Sequence, residues 1–91
     1  MKILIVDDQR SARKVLKDYL SSLTDIECCE AASVEDAMAA IERHHPDLLL
    51  LDVRLNLGDL RDRGGLEILR RMRASGRTTP AIVVTSVNEL A

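Results

Sequence analysis

The sequence predicts an α/β domain built as a doubly wound parallel sheet, and three observations lead to this prediction. Short, continuous apolar runs recur along the chain, which is typical of strands buried on both faces. Between these runs the apolar residues recur at helical spacing instead. The two patterns alternate, and alternating strands and helices indicate helices packed on a parallel sheet.

The first strand and helix are predicted within residues 3–23. Residues 3–6 read Ile-Leu-Ile-Val and predict a buried strand that ends at Asp7 and Asp8. The next helix presents one apolar face, made of Ala12, Val15, Leu16, Tyr19, Leu20 and Leu23. The opposite, polar face contains Arg13, Lys14, Lys17 and Asp18. We therefore expect the apolar face to pack on the sheet and the polar face to meet solvent.

The second strand and helix are predicted within residues 26–45. Residues 26–32 have the character of a strand, and Ser33 follows as a candidate helix cap. Asp36 stands three residues after Ser33, in the manner of a capping box. The helix is expected to end near His44 and His45, because Pro46 disfavours helical geometry in the residue before it.

The third strand and helix are separated by a long polar loop. Residues 48–51 are four leucines, and the strand that they predict closes on Asp52. Residues 54–65 contain glycines and several charges, and we interpret them as a loop. Ile68, Leu69 and Met72 then mark the inner face of a third helix.

The last predicted elements are a fourth strand and the start of a helix. Gly76 is expected to end the third helix, since glycine readily adopts the backbone conformation found there. Residues 81–85 predict a fourth buried strand. Residues 86–91 are interpreted as the first turn of a fourth helix.

Composition excludes several classes of function. The 91 residues suffice for one small domain, and 13 Lys and Arg against 15 Asp and Glu give a formal charge of −2. That balance argues against holding nucleic acid by charge alone, and a single aromatic residue, Tyr19, rules out a base-stacking surface. No apolar stretch approaches a membrane helix or a signal peptide. The adjacent Cys28 and Cys29 cannot easily form a disulfide with each other, so we expect free thiols and a cytoplasmic domain. Together these features predict no direct contact with a membrane or with nucleic acid.

Polar residues follow three of the four predicted strands. Asp7 and Asp8 follow the first strand, Asp52 the third, and Thr85 with Ser86 the fourth. Ligands of doubly wound sheets bind at the carboxyl ends of the strands. If the first and third strands are neighbours, three carboxylates converge there, and a divalent cation such as Mg²⁺ would offset their repulsion. Taken singly, an aspartate such as Asp8 is explained equally well as a cap of the next helix.

Four segments together resemble the receiver domain of bacterial two-component response regulators. These segments read MKILIVDD, HPDLLLLDV, GLEILRRMR and TTPAIVVTS. The resemblance covers residues 1–91 in the family's order, so we expect one receiver domain over that range. It implies the flavodoxin-like receiver fold, with the strands in the order 2-1-3-4.

The resemblance also implies how the aspartates act. Asp52 resembles the phosphoacceptor, which takes a phosphoryl group from a phosphohistidine of a sensor histidine kinase or phosphotransfer protein. Asp8 resembles the direct Mg²⁺ ligand, and Asp7 the carboxylate that holds the ion partly through water. The backbone carbonyl of Arg54 would be a further ligand.

Two residues of the fourth strand complete the implied site. Thr85 resembles the hydroxyl residue that bonds a phosphoryl oxygen and repositions on phosphorylation. Ser86 fills the neighbouring position, where a small residue leaves the acyl phosphate accessible. The implied function is a signalling receiver that assists its own aspartyl phosphorylation, not an enzyme for a separate substrate.

The loop after Asp52 departs from the family pattern. Asn56 stands where the family usually has proline, and the match to GLEILRRMR begins only at Gly65, so the loop is longer than usual. Arg54 places a long cation beside the expected phosphoryl group. One hypothesis is that this cation pairs with the phosphoryl group and slows hydrolysis of the acyl phosphate; a solvated side chain explains the residue equally well.

The end of the chain is a second departure. The family's fifth strand, with its lysine, and the fifth helix have no counterpart, and the lysines here are Lys2, Lys14 and Lys17. The sequence therefore predicts a C-terminally truncated receiver, either a fragment or a chain that forms a homodimer through the apolar edge at residues 81–84.

Two other functions remain as alternatives. One is a pseudo-receiver that acts without phosphorylation, as an interaction or oligomerisation module through that strand edge. The other is an acid-phosphatase-like fold, which also uses an aspartate nucleophile at a strand end. That fold is disfavoured because its nucleophile usually follows the first strand in an Asp-x-Asp pattern, whereas Asp7 and Asp8 are adjacent.

Overall fold

Four strands and three helices alternate along the chain. The computed structural model describes residues 1–23, 25–56 and 64–88. In chain order the elements are β1 (Lys2–Val6), α1 (Arg10–Ser21), β2 (Glu27–Ala31), α2 (Val34–His44), β3 (Leu48–Asn56), α3 (Gly64–Ala74) and β4 (Ala81–Asn88). Within the described part of the chain, no helix is long and apolar enough to cross a membrane.

The strands form one parallel sheet in the order β2-β1-β3-β4. This confirms both the predicted fold class and the predicted strand order. In the registers, Val6 of β1 pairs with Ala31 of β2 on one side and with Leu51 of β3 on the other. The carboxyl end of β1 therefore lies beside Leu51, the residue before Asp52, as the site prediction requires.

The main core lies between the sheet and the helices α2 and α3. It contains Leu4, Val6, Ala31, Ala37, Ile41, Leu49, Leu51, Ile68 and Met72. Alternate residues of a strand point to the same face, so β1 and β3 each send every second apolar side chain into this layer. A fully buried aliphatic side chain contributes about 1.5–3 kcal/mol, so this layer supplies most of the fold's stability.

The opposite face of the sheet is covered less completely, by α1 alone among the described helices. Every residue of α1 is described, and none is fully buried. Val15 and Tyr19 are each 69% exposed, so the prediction that the apolar face of α1 packs throughout on the sheet is wrong for these residues. Ile82 and Val84 of β4 are also about half exposed. The structure thus leaves a continuous apolar surface on this side.

The strands β3 and β4 are longer than the sequence pattern predicts. They pair residue by residue as far as Arg54 with Ser86 and Asn56 with Asn88. Residues 54–56, predicted as loop, and 86–88, predicted as helix, are therefore strand. Two strands can extend each other in this way because ladder hydrogen bonds join backbone groups, whatever the side chains. Residues 57–63 of the predicted loop and 89–91 of the predicted helix lie outside the described residues.

The predicted helix ends agree well with the structure. The Ser33 hydroxyl accepts a hydrogen bond from the backbone N–H of Asp36 at 3.1 Å, which confirms the predicted cap of α2. His45 follows α2 in the left-handed conformation, with φ at 48°. Gly76, at φ of 89°, follows α3 as predicted, because glycine meets no steric penalty there. Gly64 and Gly65 were expected in the loop and instead begin α3.

Candidate functional site

Three aspartates meet at the edge of the sheet where β1 ends, beside the middle of β3. β3 continues beyond Asp52 to Asn56, so the prediction that the third strand closes on Asp52 is wrong. Asp7 and Asp8 directly follow β1, and Asp52 follows the residue of β3 that pairs with Val6. One carboxylate oxygen from each of the three lies within 4.8 Å of the others. The structure therefore brings together the three carboxylates that the sequence predicts at this edge.

The three carboxylates differ in exposure. Asp7 is buried, at 6% exposure, whereas Asp52 is half-buried and Asp8 is exposed. The Asp7 side chain accepts a hydrogen bond from the backbone N–H of Gln9 at 2.9 Å, which turns the chain from β1 into α1. The cluster is thus anchored at Asp7 and open to solvent at Asp8.

Arg13 contacts the backbone of Asp7 instead of extending into solvent from α1. Its side chain is only 13% exposed, so the prediction that it belongs to a solvated polar face is wrong. Its Nη1 donates to the backbone carbonyl of Asp7 at 2.6 Å, and its Nε donates to Glu30 Oε1 at 3.3 Å. A guanidinium at the end of a long aliphatic stem reaches back to the loop before α1.

β4 brings Thr85 and Ser86 to the same edge of the sheet. Val84 is in register with Asp52, and the next two pairs are Val53 with Thr85 and Arg54 with Ser86. The side chains of Arg54, Thr85 and Ser86 lie outside the described atoms. Their implied roles, including the Arg54 carbonyl as a ligand, stay predictions.

An apolar groove of about 440 Å³ adjoins the aspartates, between α1 and the sheet. Asp7, Gln9 and Asp52 contribute its polar end. Its apolar walls are formed by Ile5, Val6, Ala12, Val15, Leu16, Leu50, Leu51 and Val84. Asp7 and Asp52 therefore lie beside an apolar surface, where electrostatic interactions are stronger than in bulk water.

The donor set fits a hard divalent cation. Mg²⁺ prefers carboxylate oxygens and typically takes one or two of them together with water and phosphate oxygens. Three carboxylates within 4.8 Å of one another supply such oxygens and also the negative charge that a cation offsets. The half-buried Asp52 then presents a carboxylate oxygen beside a candidate cation site.

Sequence reasoning missed the support that Gln9 and Arg13 give to this site. The hydrogen bond from Gln9 to the Asp7 carboxylate is donated by a backbone N–H, so the residue type at position 9 does not predict it. Helical spacing assigns Arg13 to the polar face of α1, but spacing does not predict the direction in which a long side chain extends. Its position within the first turns of the helix after the aspartates was the available signal.

Comparison with known proteins gives a consistent family. The family model described as the response regulator receiver domain matches residues 3–91. Sporulation initiation phosphotransferase F of Bacillus subtilis is 34% identical, over 98% of this chain and 67% of that protein. The transcriptional regulatory protein MalR of Bacillus subtilis is 31% identical over 99% of this chain. The chain spans only 37% of MalR and 32% of each of two sensory transduction proteins that it matches.

Solved structures show the same similarity. The N-terminal domain of an uncharacterized Wolinella succinogenes protein superposes with a TM-score of 0.80 and 32% identity, over 98% of this chain and 67% of that one. The MaeR response regulator, solved with beryllium trifluoride bound, gives a TM-score of 0.78 and 27% identity, over 98% of this chain and 70% of that one. Both cover nearly all of the present chain.

Proposed function

Because this chain belongs to the response regulator receiver domain family, we propose that it accepts a phosphoryl group on Asp52 from a sensor histidine kinase or phosphotransfer protein. The observation that carries this proposal is the convergence of Asp7, Asp8 and Asp52 within 4.8 Å. A nucleophilic carboxylate beside two further carboxylates suits phosphoryl transfer, in which positioning and charge neutralisation supply most of the catalysis.

The transfer exchanges one bond to phosphorus for another. A carboxylate oxygen of Asp52 attacks phosphorus, an O–P bond forms, and the N–P bond of the donor phosphohistidine breaks. The bonding electrons return to the imidazole ring, which leaves the site, and Asp52 becomes an acyl phosphate. Asp7 and Asp8 would hold Mg²⁺, which neutralises charge on the phosphoryl oxygens when it is bound.

Residues of β3 and β4 are proposed to complete the site. The Thr85 hydroxyl would donate to a phosphoryl oxygen, the small Ser86 would leave the acyl phosphate open to water, and the Arg54 carbonyl would add a metal ligand. The chain would thereby act in the cytoplasm as a signalling receiver that assists its own phosphorylation.

Intact mass after incubation with a small acyl phosphate and MgCl₂ tests this function. We expect the wild type to gain the mass of one phosphoryl group, and we expect omission of Mg²⁺ with a chelator to prevent the gain. Asp52→Asn removes the nucleophile and should show no adduct. Asp18→Asn is the matched control, because Asp18 is exposed on α1 and pairs with Lys14.

Two results would contradict the proposal. One is a wild type that gains no phosphoryl group although it is folded by circular dichroism. The other is an adduct of equal yield on Asp52→Asn, which would place the modification on another residue.

A second candidate function is a phosphorylation-independent interaction module, and the composition of β4 favours it. β4 lies at one end of the described sheet and carries no charged residue, while its Ile82, Val83 and Val84 are exposed. The other end strand, β2, carries Glu27 and Glu30, and charges of this kind discourage edge-to-edge pairing. Self-association is therefore favoured at β4, where two copies would meet without like charges.

Light scattering after size exclusion tests this second function. We expect a concentration-dependent dimer in wild type and in Asp52→Asn alike. Val84→Lys should give a monomer, because antiparallel pairing would bring two ammonium groups into one apolar edge. A wild type that is monomeric at every concentration contradicts the module.

A further inference from the structure

The backbone of Asp7 is held at both of its polar groups. Its N–H donates to the carbonyl of Ala31 in β2 at 3.1 Å. Its carbonyl accepts from Arg13 Nη1 at 2.6 Å, a charge-assisted hydrogen bond. That carbonyl belongs to the peptide that joins Asp7 to Asp8. The orientation of this peptide therefore depends on a side chain of α1.

Arg13 is itself held in place. Its Nε donates to Glu30 Oε1 at 3.3 Å, and Lys17 Nζ donates to the other oxygen of the same carboxylate, also at 3.3 Å. The Arg13 backbone N–H donates to the carbonyl of Gln9 at 3.2 Å, within the first turn of α1. With its side chain 13% exposed, the guanidinium has little freedom to leave the Asp7 carbonyl.

We propose that Arg13 is a positioning residue that fixes the peptide between Asp7 and Asp8, and so sets both carboxylates for a divalent cation. Glu30 of β2 orients Arg13, and Arg13 in turn orients the loop that carries the two aspartates. The inference rests on the proposed function, because it assigns Arg13 a part in binding the Mg²⁺ that phosphoryl transfer uses. Groups that orient the ligands of a metal often control its affinity.

Simple electrostatics predicts the opposite effect. A guanidinium bound to the backbone of Asp7 repels a cation that binds nearby, so loss of its charge alone would strengthen Mg²⁺ binding. Loss of the hydrogen bond to the Asp7 carbonyl would weaken binding, because Asp7 and Asp8 would no longer be held in one arrangement. The sign of the change in affinity therefore separates the two roles.

Isothermal titration of the full chain with MgCl₂ measures this sign. We expect Arg13→Ala to bind Mg²⁺ about tenfold more weakly than wild type, although it has lost a positive charge. Lys14→Ala is the matched control, because Lys14 is the next residue, is exposed and pairs with Asp18 instead of with the loop. It should bind Mg²⁺ as tightly as wild type or slightly more tightly.

Arg13→Lys keeps the charge with fewer donors, and we expect an intermediate affinity. Thermal unfolding without Mg²⁺ establishes that each variant is folded at the titration temperature; if Arg13→Ala is not, Arg13→Lys decides the question. Affinity in the deciding variant equal to or above that of wild type would overturn the inference. A wild type that binds no Mg²⁺ would instead contradict the proposed function, so the two failures are distinguishable.

Discussion

The three aspartates repel one another in the absence of a cation. Their oxygens lie within 4.8 Å, and two unit charges about 4 Å apart repel by about 1–4 kcal/mol when the effective dielectric constant is between that of water and that of a protein surface. The folded chain holds these charges together, whereas the unfolded chain separates them. A cation bound among the three carboxylates would offset this repulsion in the folded chain.

Magnesium should stabilise the fold through these residues. A ligand that binds only the folded state at about 100 times its dissociation constant adds about 2.7 kcal/mol, so we expect MgCl₂ to raise Tm. Asp8→Asn should remove most of the Mg²⁺-dependent rise in Tm, because it removes one of the three carboxylates. Circular dichroism melts at ionic strength matched with NaCl measure both effects. Equal Mg²⁺-dependent rises in wild type and Asp8→Asn would contradict this prediction.

Arg54 offers a test of phosphoryl lifetime. It stands two residues after Asp52, and β3 continues through it in register with Ser86. We propose that its cation pairs with the phosphoryl group, since guanidinium groups bind phosphate oxygens well. Arg54→Ala should then shorten the half-life of the acyl phosphate, followed by intact mass after the donor is removed. An unchanged half-life means that the Arg54 side chain has no such role.

Glu67 of α3 gives a prediction about pH. Hydrogen bonds from Arg70 and Arg71 lower the pKa of Glu67 from 4.5 to about 2. A lowered pKa in the folded state means that the contribution of Glu67 to stability is complete above pH 4.5 and is lost as the pH falls towards 2. Solvent reaches Glu67 and both arginines, so the contribution of these ion pairs to stability is small.

Urea midpoints of wild type and Glu67→Gln, measured across that pH range, show the contribution directly. We expect wild type to be slightly more stable above pH 4.5, and the two curves to converge on acidification towards pH 2. A difference that stays constant with pH would mean that ionisation of Glu67 is not involved.

At the level of elements, α2 depends on its cap. The Ser33 hydroxyl accepts a hydrogen bond from the backbone N–H of Asp36, which has no acceptor within the helix because it lies in the first turn. Ser33→Ala should lower the free energy of unfolding by about 1 kcal/mol, and Ser33→Asp should retain most of it. Chemical denaturation at neutral pH measures the difference. Equal losses in both variants would show that the cap hydrogen bond contributes nothing.

The sequence predicted the interiors of the elements better than their ends. Apolar runs such as residues 3–6 and 48–51 identify strands because burial on both faces leaves no polar positions. Residues 54–56 and 86–88 contain no such run. The two segments form strands because they pair with each other. Pairing of this kind depends on three-dimensional neighbours, which a local pattern does not record.

For the whole molecule, the two faces of the sheet differ in what they bury. The α2 and α3 face contains the core, whereas the α1 face leaves Val15, Tyr19, Ile82 and Val84 exposed. Helical periodicity predicted an apolar face on α1 but not how much of it a neighbour covers. An apolar surface of this kind is typical of interaction sites, which is why the interaction module remains a second candidate.

The candidate site was predictable in its main parts for a reason that lies in the topology. The apolar runs at residues 3–6 and 48–51 pair in parallel, so the residues that follow them, Asp7, Asp8 and Asp52, could be brought together from the sequence. The contact of Arg13 with the Asp7 carbonyl could not be predicted from the sequence, because it depends on the direction of a long side chain.

The central claim is that Asp52 accepts the phosphoryl group, and chemical trapping tests it most directly. The chain is incubated with a small acyl phosphate and MgCl₂, then reduced with borohydride, which converts an aspartyl phosphate to homoserine. Peptide mass spectrometry locates the product. We expect homoserine at position 52 alone. Homoserine at Asp7 or Asp8, or none in a chain that has gained the phosphoryl mass, would contradict the claim.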